Sequence, residues 1–429
     1  MTTKTDTLLQ AHENTHSFEV INRQFAHLLD EDVANKLKTF HLLHSLADGG
    51  CLLRYTDQGV RSRDPAIMPY APFTRSRIYT ASRQAGSWNT DSQLTLFKGR
   101  YFYGFANGRV DEDDAGQRVR VSSSDDAVHW SDPVVVAGGE EGTNICHKCA
   151  GICATDDTLY VLDRALGTTP DPAVPGERRF DSMQVHVSAS TDGIQWKRVF
   201  SFDDQISSIY EAPRLTAEGR LMCAGAIRYS TKEEAARSIT GAPGHDTLTR
   251  GGAAILLWPG ADICVQPEIV PIPQPHGSVF PGAEASWYQT DDRTIVVLWR
   301  DDGGSCRLWV NTSTDGGKSF CEPMITDIPD AVSRLYAGRL ADGRHYLCSN
   351  AFATLGDRTH LMLLIGDDDY RFNKAYILVD DPTAMRLVGL LKINGYFYPC
   401  CLPVGDQLLV AYCVNKEDIE CGVVDLTAC

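Results

Sequence analysis

No apolar run in the chain is long enough to cross a bilayer; the longest, around Ala253 to Trp258, is far short of the roughly 20 residues a membrane helix requires. Clustered positive charge is also missing. Forty Lys and Arg stand against 56 Asp and Glu, a net charge of −16, which excludes a protein that grips nucleic-acid phosphates with basic patches. Met1 is followed by Thr-Thr-Lys-Thr-Asp and by no apolar stretch, so no secretory signal is expected. The 14 cysteines lack a metal-binding frame. Cys146-His147-Lys148-Cys149 is followed by Cys153 but by no second Cys or His pair, so free thiols in a reducing, cytoplasmic setting are expected and structural zinc is not. Helical periodicity is scarce, confined to Asp32–Leu43 and Thr231–Ser238. What remains is a soluble, acidic, globular chain read as one domain, with neither membrane nor nucleic acid expected as partner.

Strand signals, by contrast, recur along the whole chain. Short apolar runs rich in Val, Ile, Leu, Tyr and Phe alternate with turn dipeptides. Hairpins of this kind begin at residues 93, 150, 211, 284, 336 and 399, with turns at Lys98-Gly99, Asp156-Asp157, Glu218-Gly219, Asp291-Asp292, Asp342-Gly343 and Gly405-Asp406. The mean spacing of about 61 residues suits four strands with long loops, the repeat of a β-propeller. One period before the first hairpin lies Phe40 to Tyr55, with an Asp48-Gly49-Gly50 turn, which reads as a seventh unit. The sequence therefore predicts an all-β, seven-bladed propeller of four-stranded antiparallel blades over residues 36–429, with six blades as the alternative. Residues 1–35, which contain Ser17-Phe-Glu-Val-Ile, are expected to supply a strand that closes the ring, because an open array leaves edge strands unpaired.

A second repeat runs through the first. Ser124 to Trp130, Ser190 to Trp196 and Ser313 to Phe320 each place Ser-x-Asp ahead of an aromatic residue. The Asp can bond backbone N–H groups of the turn while the aromatic packs between outer strands. These segments resemble the Asp-box (BNR) repeats of sialidase-like propellers, where they are structural and lie away from the active face.

In a propeller the starts of the inner hairpins share one funnel, here Asp91, His147, Glu211, Glu284, Tyr336 and Tyr398. Carboxylates, phenols and an imidazole are the groups that perform acid–base work. Over residues 284–412 the resemblance becomes specific. Glu284 and Arg300 lie on one hairpin ahead of the Ser313 Asp-box, Asp357-Arg358-Thr-His-Leu follows Ser349-Asn350, and Tyr396-Phe-Tyr398-Pro-Cys-Cys-Leu comes next. This order is similar to the sialidase order of Glu, two arginines and Tyr. It implies that Glu284 polarises a Tyr398 nucleophile while Arg300 and Arg358 grip a substrate carboxylate. The first hairpin opens with Trp88-Asn-Thr-Asp91-Ser where sialidases have Arg-Ile-Pro, so the first arginine of their triad is absent there. Residues 88–120 and 412–420 look more like a seven-bladed branch that includes rhamnosyl-glucuronate hydrolases and lyases. Members of that branch often carry His near the Asp91 position; here His147, His41 or His44 would have to act.

The leading expectation is an exo-acting glycoside hydrolase that removes an acidic sugar of uronate or sialate type from an oligosaccharide or polysaccharide. Alternatives are a lyase eliminating at a uronate and a non-catalytic glycan-binding propeller. Arg214 and Arg228 follow Glu211 as a second Glu-plus-Arg set, read equally as an acid–base and anion-binding element or as an ion pair within a blade. Either Trp287 or Tyr288 is placed to stack on a sugar ring, and Tyr336 to line it. Arg339 reads as a structural partner or a ligand contact, and His276 as exposed. No cofactor or metal is expected; the acidic run Asp367–Asp369 reads as a turn and lacks calcium-loop spacing.

Overall fold

A computed structural model describes residues 54–55, 68–140, 142–170, 178–227, 252–273, 280, 282–352, 354–389 and 391–429. Among these, alternating apolar segments form six four-stranded antiparallel blades. The innermost strands are Trp88–Phe97, Ile145–Ala154, Ile206–Ile209, Gly282–Gln289, Tyr336–Arg339 and Tyr396–Val404 in blades 1 to 6. In blade 3 the inner edge continues as Arg214–Leu215. All six hairpins expected from the repeat are the first two strands of a blade.

Among the described residues the expected seventh blade is not formed. Within the segment read as its hairpin, only Arg54–Tyr55 is described, and it pairs in parallel with Arg371–Phe372 beside blade 5. Closure comes from another source. Phe73–Tyr79 pairs antiparallel with Asp418–Asp425 as the fourth strand of blade 6, so the two ends of the ring are stitched within one sheet. The segment containing Ser17, His41 and His44, both short helices, Arg228 and His276 lie outside the described residues.

The core lies between the blades. Phe102, Val119, Val121, Ile152 and Val161 fill the interface of blades 1 and 2; Phe202, Leu221, Leu256 and Trp258 that of blades 2 and 3. Each large apolar side chain so buried contributes about 1.5–3 kcal/mol, and the interfaces repeat round the ring. The Asp-boxes form the turns between third and fourth strands of blades 1, 2 and 4. Asp126 Oδ1 accepts from the N–H groups of Val128 (2.9 Å) and His129 (2.8 Å), and Asp192 Oδ1 from those of Ile194 (2.8 Å) and Gln195 (2.9 Å). Asp315 repeats this with Lys318 and Ser319, both at 3.0 Å.

Candidate active site

Three inner strands share one local irregularity. Pairing with the second strand slips between Thr90 and Gln93 in blade 1, between Ala283 and Ser286 in blade 4, and between Phe397 and Cys400 in blade 6. Inside each slip one residue takes a left-handed backbone: Asp91 at φ 59°, Glu284 at 39° and Tyr398 at 53°. That conformation costs a residue with a side chain about 1–3 kcal/mol, and a bulge re-aims the side chain it carries. Here the bulges bring a carboxyl, a carboxylate and a phenol toward one another. Arg334 links them, with Nη1 3.8 Å from Asp91 Oδ1 and its guanidinium carbon 5.7 Å from the centre of the Tyr398 ring.

The surrounding cations come from several blades. Arg300, on the second strand of blade 4, pairs with Glu284 and, at 2.8 Å, with Asp302. Arg358 lies against blade 6: its guanidinium is 4.9 Å from the Phe397 ring, and its carbonyl accepts from Tyr396 N–H at 2.8 Å. Gly395 makes this approach feasible, since its φ is 130° and a Cβ there would fall 2.3 Å from the Arg358 carbonyl oxygen. Arg334 arrives on the loop between blades 4 and 5. There Asp330 accepts from Ser333 N–H at 3.1 Å, and Val332 sits at φ 57° with its carbonyl receiving Arg358 Nη2 at 2.8 Å. On the other side Lys148 pairs with Asp113 (2.7 Å) and Glu112 (3.3 Å), and Lys416 with Glu112 (2.8 Å), near the Trp88 ring.

These neighbours set the protonation states. Burial raises the Tyr398 hydroxyl well above the usual phenol range, Glu284 and Glu112 add to this, and Arg300 and Arg358 oppose it. Burial also works against charge on Glu284, but Arg300 and Arg334 outweigh it and hold the carboxylate below its ordinary value. Glu112 is buried too, yet Lys416 and Lys148 keep it at about 2. Asp91 goes the other way: burial raises it despite Lys148 and Arg334, and its Oδ2 is buried without a hydrogen-bond partner among the described residues. Arg358 is 6% exposed, has no carboxylate partner among the described residues, and is depressed by burial and by repulsion from Arg300. A buried, uncompensated guanidinium beside a second one is a site that an anion would stabilise.

Of the residues expected to share the funnel, Asp91, Glu284, Arg300, Arg358 and Tyr398 are brought together. Others are not. His147 turns away from Lys148 on the same strand, placing Nδ1 2.6 Å from Asp163 Oδ2 inside blade 2. Glu211 and Arg214 pair with each other at 3.0 and 3.2 Å. Arg214 also donates to the carbonyls of Trp287 (2.7 Å) and Ala337 (3.0 Å), and Ser286 Oγ donates to Glu211 at 2.7 Å. The pair is a clamp between blades 3, 4 and 5, with both Nη atoms of Arg214 directed at protein groups. Trp287 packs in the core between blades 3 and 4, Tyr288 in that between blades 4 and 5, and the Tyr336 ring lies 5.3 Å from the Arg214 guanidinium in the interior. No aromatic expected to stack on sugar is available for it. Arg339 pairs with Asp291 and donates to Gly343 O at 3.0 Å, the structural alternative. Asp367–Asp369 is a turn, and among the described residues no group of three or more His, Cys, Asp and Glu is placed to hold a metal ion.

Arg334, Lys148, Lys416 and Glu112 were not singled out from the sequence. Arg334 stands two residues before an inner strand that the repeat did locate, and Lys148 is the neighbour of His147; the parity of one strand separates the two.

Comparison with known proteins fits this architecture. The family model described as BNR repeat-like domain matches residues 100–410, well over half the chain. A protein of unknown function from Dyadobacter fermentans superposes with a TM-score of 0.61 at 16% identity, over 82% of this chain and 97% of that one. NanB sialidase from Streptococcus pneumoniae (K499G mutant) gives 0.56 at 13% identity, over 87% and 73%. The leech intramolecular trans-sialidase, complexed with 2,7-anhydro-Neu5Ac, gives 0.59 at 11%, over 83% and 70%. No curated protein matches the sequence. At these identities the likeness is one of fold. With six blades, in-phase Asp-boxes and the family match over residues 100–410, the chain belongs to the BNR repeat-like family of sialidase-like β-propellers.

Proposed function

We propose that the protein is an exo-acting glycoside hydrolase that removes a terminal sugar bearing a carboxylate, of uronate or sialate type. The observation that carries this reading is Arg358, a buried guanidinium with no carboxylate partner among the described residues, set beside Arg300 and within the electrostatic reach of Tyr398. A carboxylate bound there would relieve the repulsion between the two arginines and accept a planar, bidentate contact. A neutral phenol suits an anionic sugar better than a carboxylate nucleophile, which the substrate charge would repel. Near-complete burial of Tyr398 (7% exposed) favours a chain end over an internal unit.

In this mechanism Glu284 takes the Tyr398 proton as the phenolate oxygen bonds to the anomeric carbon, and Arg300 holds Glu284 in place. Asp91, whose hold on a proton burial strengthens, donates to the departing glycosidic oxygen. Its carboxylate then deprotonates the water that breaks the tyrosyl–sugar bond, and Glu284 returns its proton to Tyr398. Each proton taken is given back, and net retention at the anomeric carbon follows from two displacements. Elimination at a uronate remains the competing chemistry; with His147 bonded inside blade 2, Tyr398 is the base that the described residues offer for it.

The test is digestion of uronate- and sialate-capped oligosaccharides read by mass spectrometry. Products that together exceed the substrate by one water are expected, and Tyr398→Phe and Glu284→Gln should each lower turnover by about 10²–10⁴-fold. An unsaturated uronate absorbing near the ultraviolet edge would instead establish elimination. Unchanged turnover in both variants would remove Tyr398 and Glu284 from the chemistry, and glycan binding without product would make the propeller a binding module.

A further inference from the structure

Two guanidiniums near the mouth lack a carboxylate partner among the described residues. Arg358 belongs to the arginine pair with Arg300 already described. The other is Arg164, on the second strand of blade 2 directly opposite Lys148 in the register, so both side chains leave the same face of that sheet. Arg164 Nη1 donates to Ser208 Oγ at 2.7 Å, reaching the inner strand of blade 3, while its Nε is buried with no acceptor. The Nε atoms of Arg120, Arg214, Arg300 and Arg358 are buried without a hydrogen bond as well, so what sets Arg164 apart at the mouth is that, like Arg358, it also lacks a carboxylate among the described residues. Arg164 is close enough to Asp91 and to Lys148 to act on the charge of both. Lys148 is already neutralised by Asp113 and Glu112, whereas Arg164 is held by a neutral hydroxyl.

The position has chemical meaning. Asp91 is the proton donor in the reading above, so the leaving sugar lies on its side of the mouth. Arg358 and Arg300 act on Tyr398 and Glu284, the groups around the sugar being cleaved off; Arg164 acts on Asp91 and Lys148 instead. In a chain of net charge −16, a second uncompensated cation at that point has no role in attracting polyanions at large. We infer that Arg164, oriented by Ser208, binds an anionic oxygen group on the leaving unit, so that the substrate is an oligosaccharide with acidic groups on two successive sugars. This rests on the assignment of the mouth as an acidic-sugar hydrolase site. Carboxylate and sulfate share the required chemistry, a flat or tetrahedral set of oxygens that accepts from a guanidinium.

The experiment compares three oligosaccharides that carry the same acidic terminal sugar, followed by a neutral sugar, a uronate or a sulfated sugar. With the wild-type protein, the KM for one of the two diacidic substrates should be at least about tenfold below that for the neutral-neighbour substrate, and which one identifies the group. In Arg164→Gln the ratio of those KM values should fall toward one. Ser208→Ala, a milder change that frees Arg164 from its hydroxyl partner, should lower the ratio partway. Arg358→Gln should weaken capture of all three substrates together. A wild-type ratio near one, or a ratio that survives Arg164→Gln in a protein with wild-type circular dichroism, overturns the second anion site while leaving the hydrolase reading intact. Failure of the wild type to turn over any of the three overturns both.

Discussion

Asp330 shows how far a single residue's environment reaches in this site. Its carboxyl is wholly buried beside that of Asp301, and burial pushes it up to about 7 although the N–H groups of Asp301 (3.0 Å) and Ser333 (3.1 Å) bond to it. Asp301 is likewise raised, to about 6, mainly by burial. Both folded values exceed the roughly 3.9 of an unfolded aspartate, so the folded chain binds these protons more tightly than the unfolded one. Stability from this source is present in full below about pH 4 and is lost as pH rises through 6 and 7. Asp330→Asn removes the titration and keeps one acceptor. In chemical denaturation the stability gap between wild type and variant should therefore narrow by about 1–3 kcal/mol between pH 5 and pH 8. A gap that is constant or widens would show that Asp330 carries a normal carboxylate. The same residue holds the loop that presents Arg334, whose role nothing local in the sequence reveals: the guanidinium facing Asp91 comes from more than half the chain away.

At the scale of strands and loops, the hairpins were legible because each is a local object, two apolar runs and a turn dipeptide. Glu284, Arg300, Arg358 and Tyr398 were legible for a similar reason, each lying in a short motif of fixed order. Residues whose role depends on parity were not. His147 and Lys148 are adjacent, and which of them faces the mouth is set by the strand's pairing with the second strand of blade 2 and its slip between Cys149 and Gly151, a feature invisible in composition. Glu211 and Arg214 were ambiguous because an ion pair and an acid–base pair use the same residue types. Their geometry as an inter-blade clamp yields a distinct expectation. Arg214→Ala strands a fully buried carboxylate that also receives Ser286 Oγ, and should cost about 3–5 kcal/mol. Glu211→Gln, which keeps the acceptor and removes the charge, should cost less than half of that. Thermal and urea denaturation of the two variants and the double variant measure the coupling. Equal, small losses with a large fall in turnover would instead place the pair in the chemistry.

At the scale of the whole molecule, a non-local pairing joins the two ends of the ring and accounts for the six blades among the described residues. The seventh hairpin expected from the sequence rests partly on the ring's need for a closing partner, with the apolar runs upstream of the first hairpin read as its source. Phe73–Tyr79 meets that need from within blade 6, across more than 300 residues of chain, so six blades suffice. Its first five residues are exposed or half-buried while Ile78 and Tyr79 are buried, and the paired strand Asp418–Asp425 has Val424 and Ile419 fully buried. Removing residues up to 79 would leave that strand as an exposed edge and open the interface between blades 6 and 1, where Tyr79 meets Phe105 at 5.3 Å between ring centres. Because Asp91 and Tyr398 lie on opposite sides of this seam, on blades 1 and 6, the same cut should separate the proton donor from the nucleophile. The shortened chain is expected to aggregate, or to melt at least about 10 °C lower with no turnover. A synthetic peptide spanning residues 68–87, added in excess during refolding, should restore a soluble monomer by completing the sheet. A shortened chain that stays monomeric with the wild-type melting temperature would mean that the inner-strand contacts close the ring unaided, and that the stitch in blade 6 is dispensable.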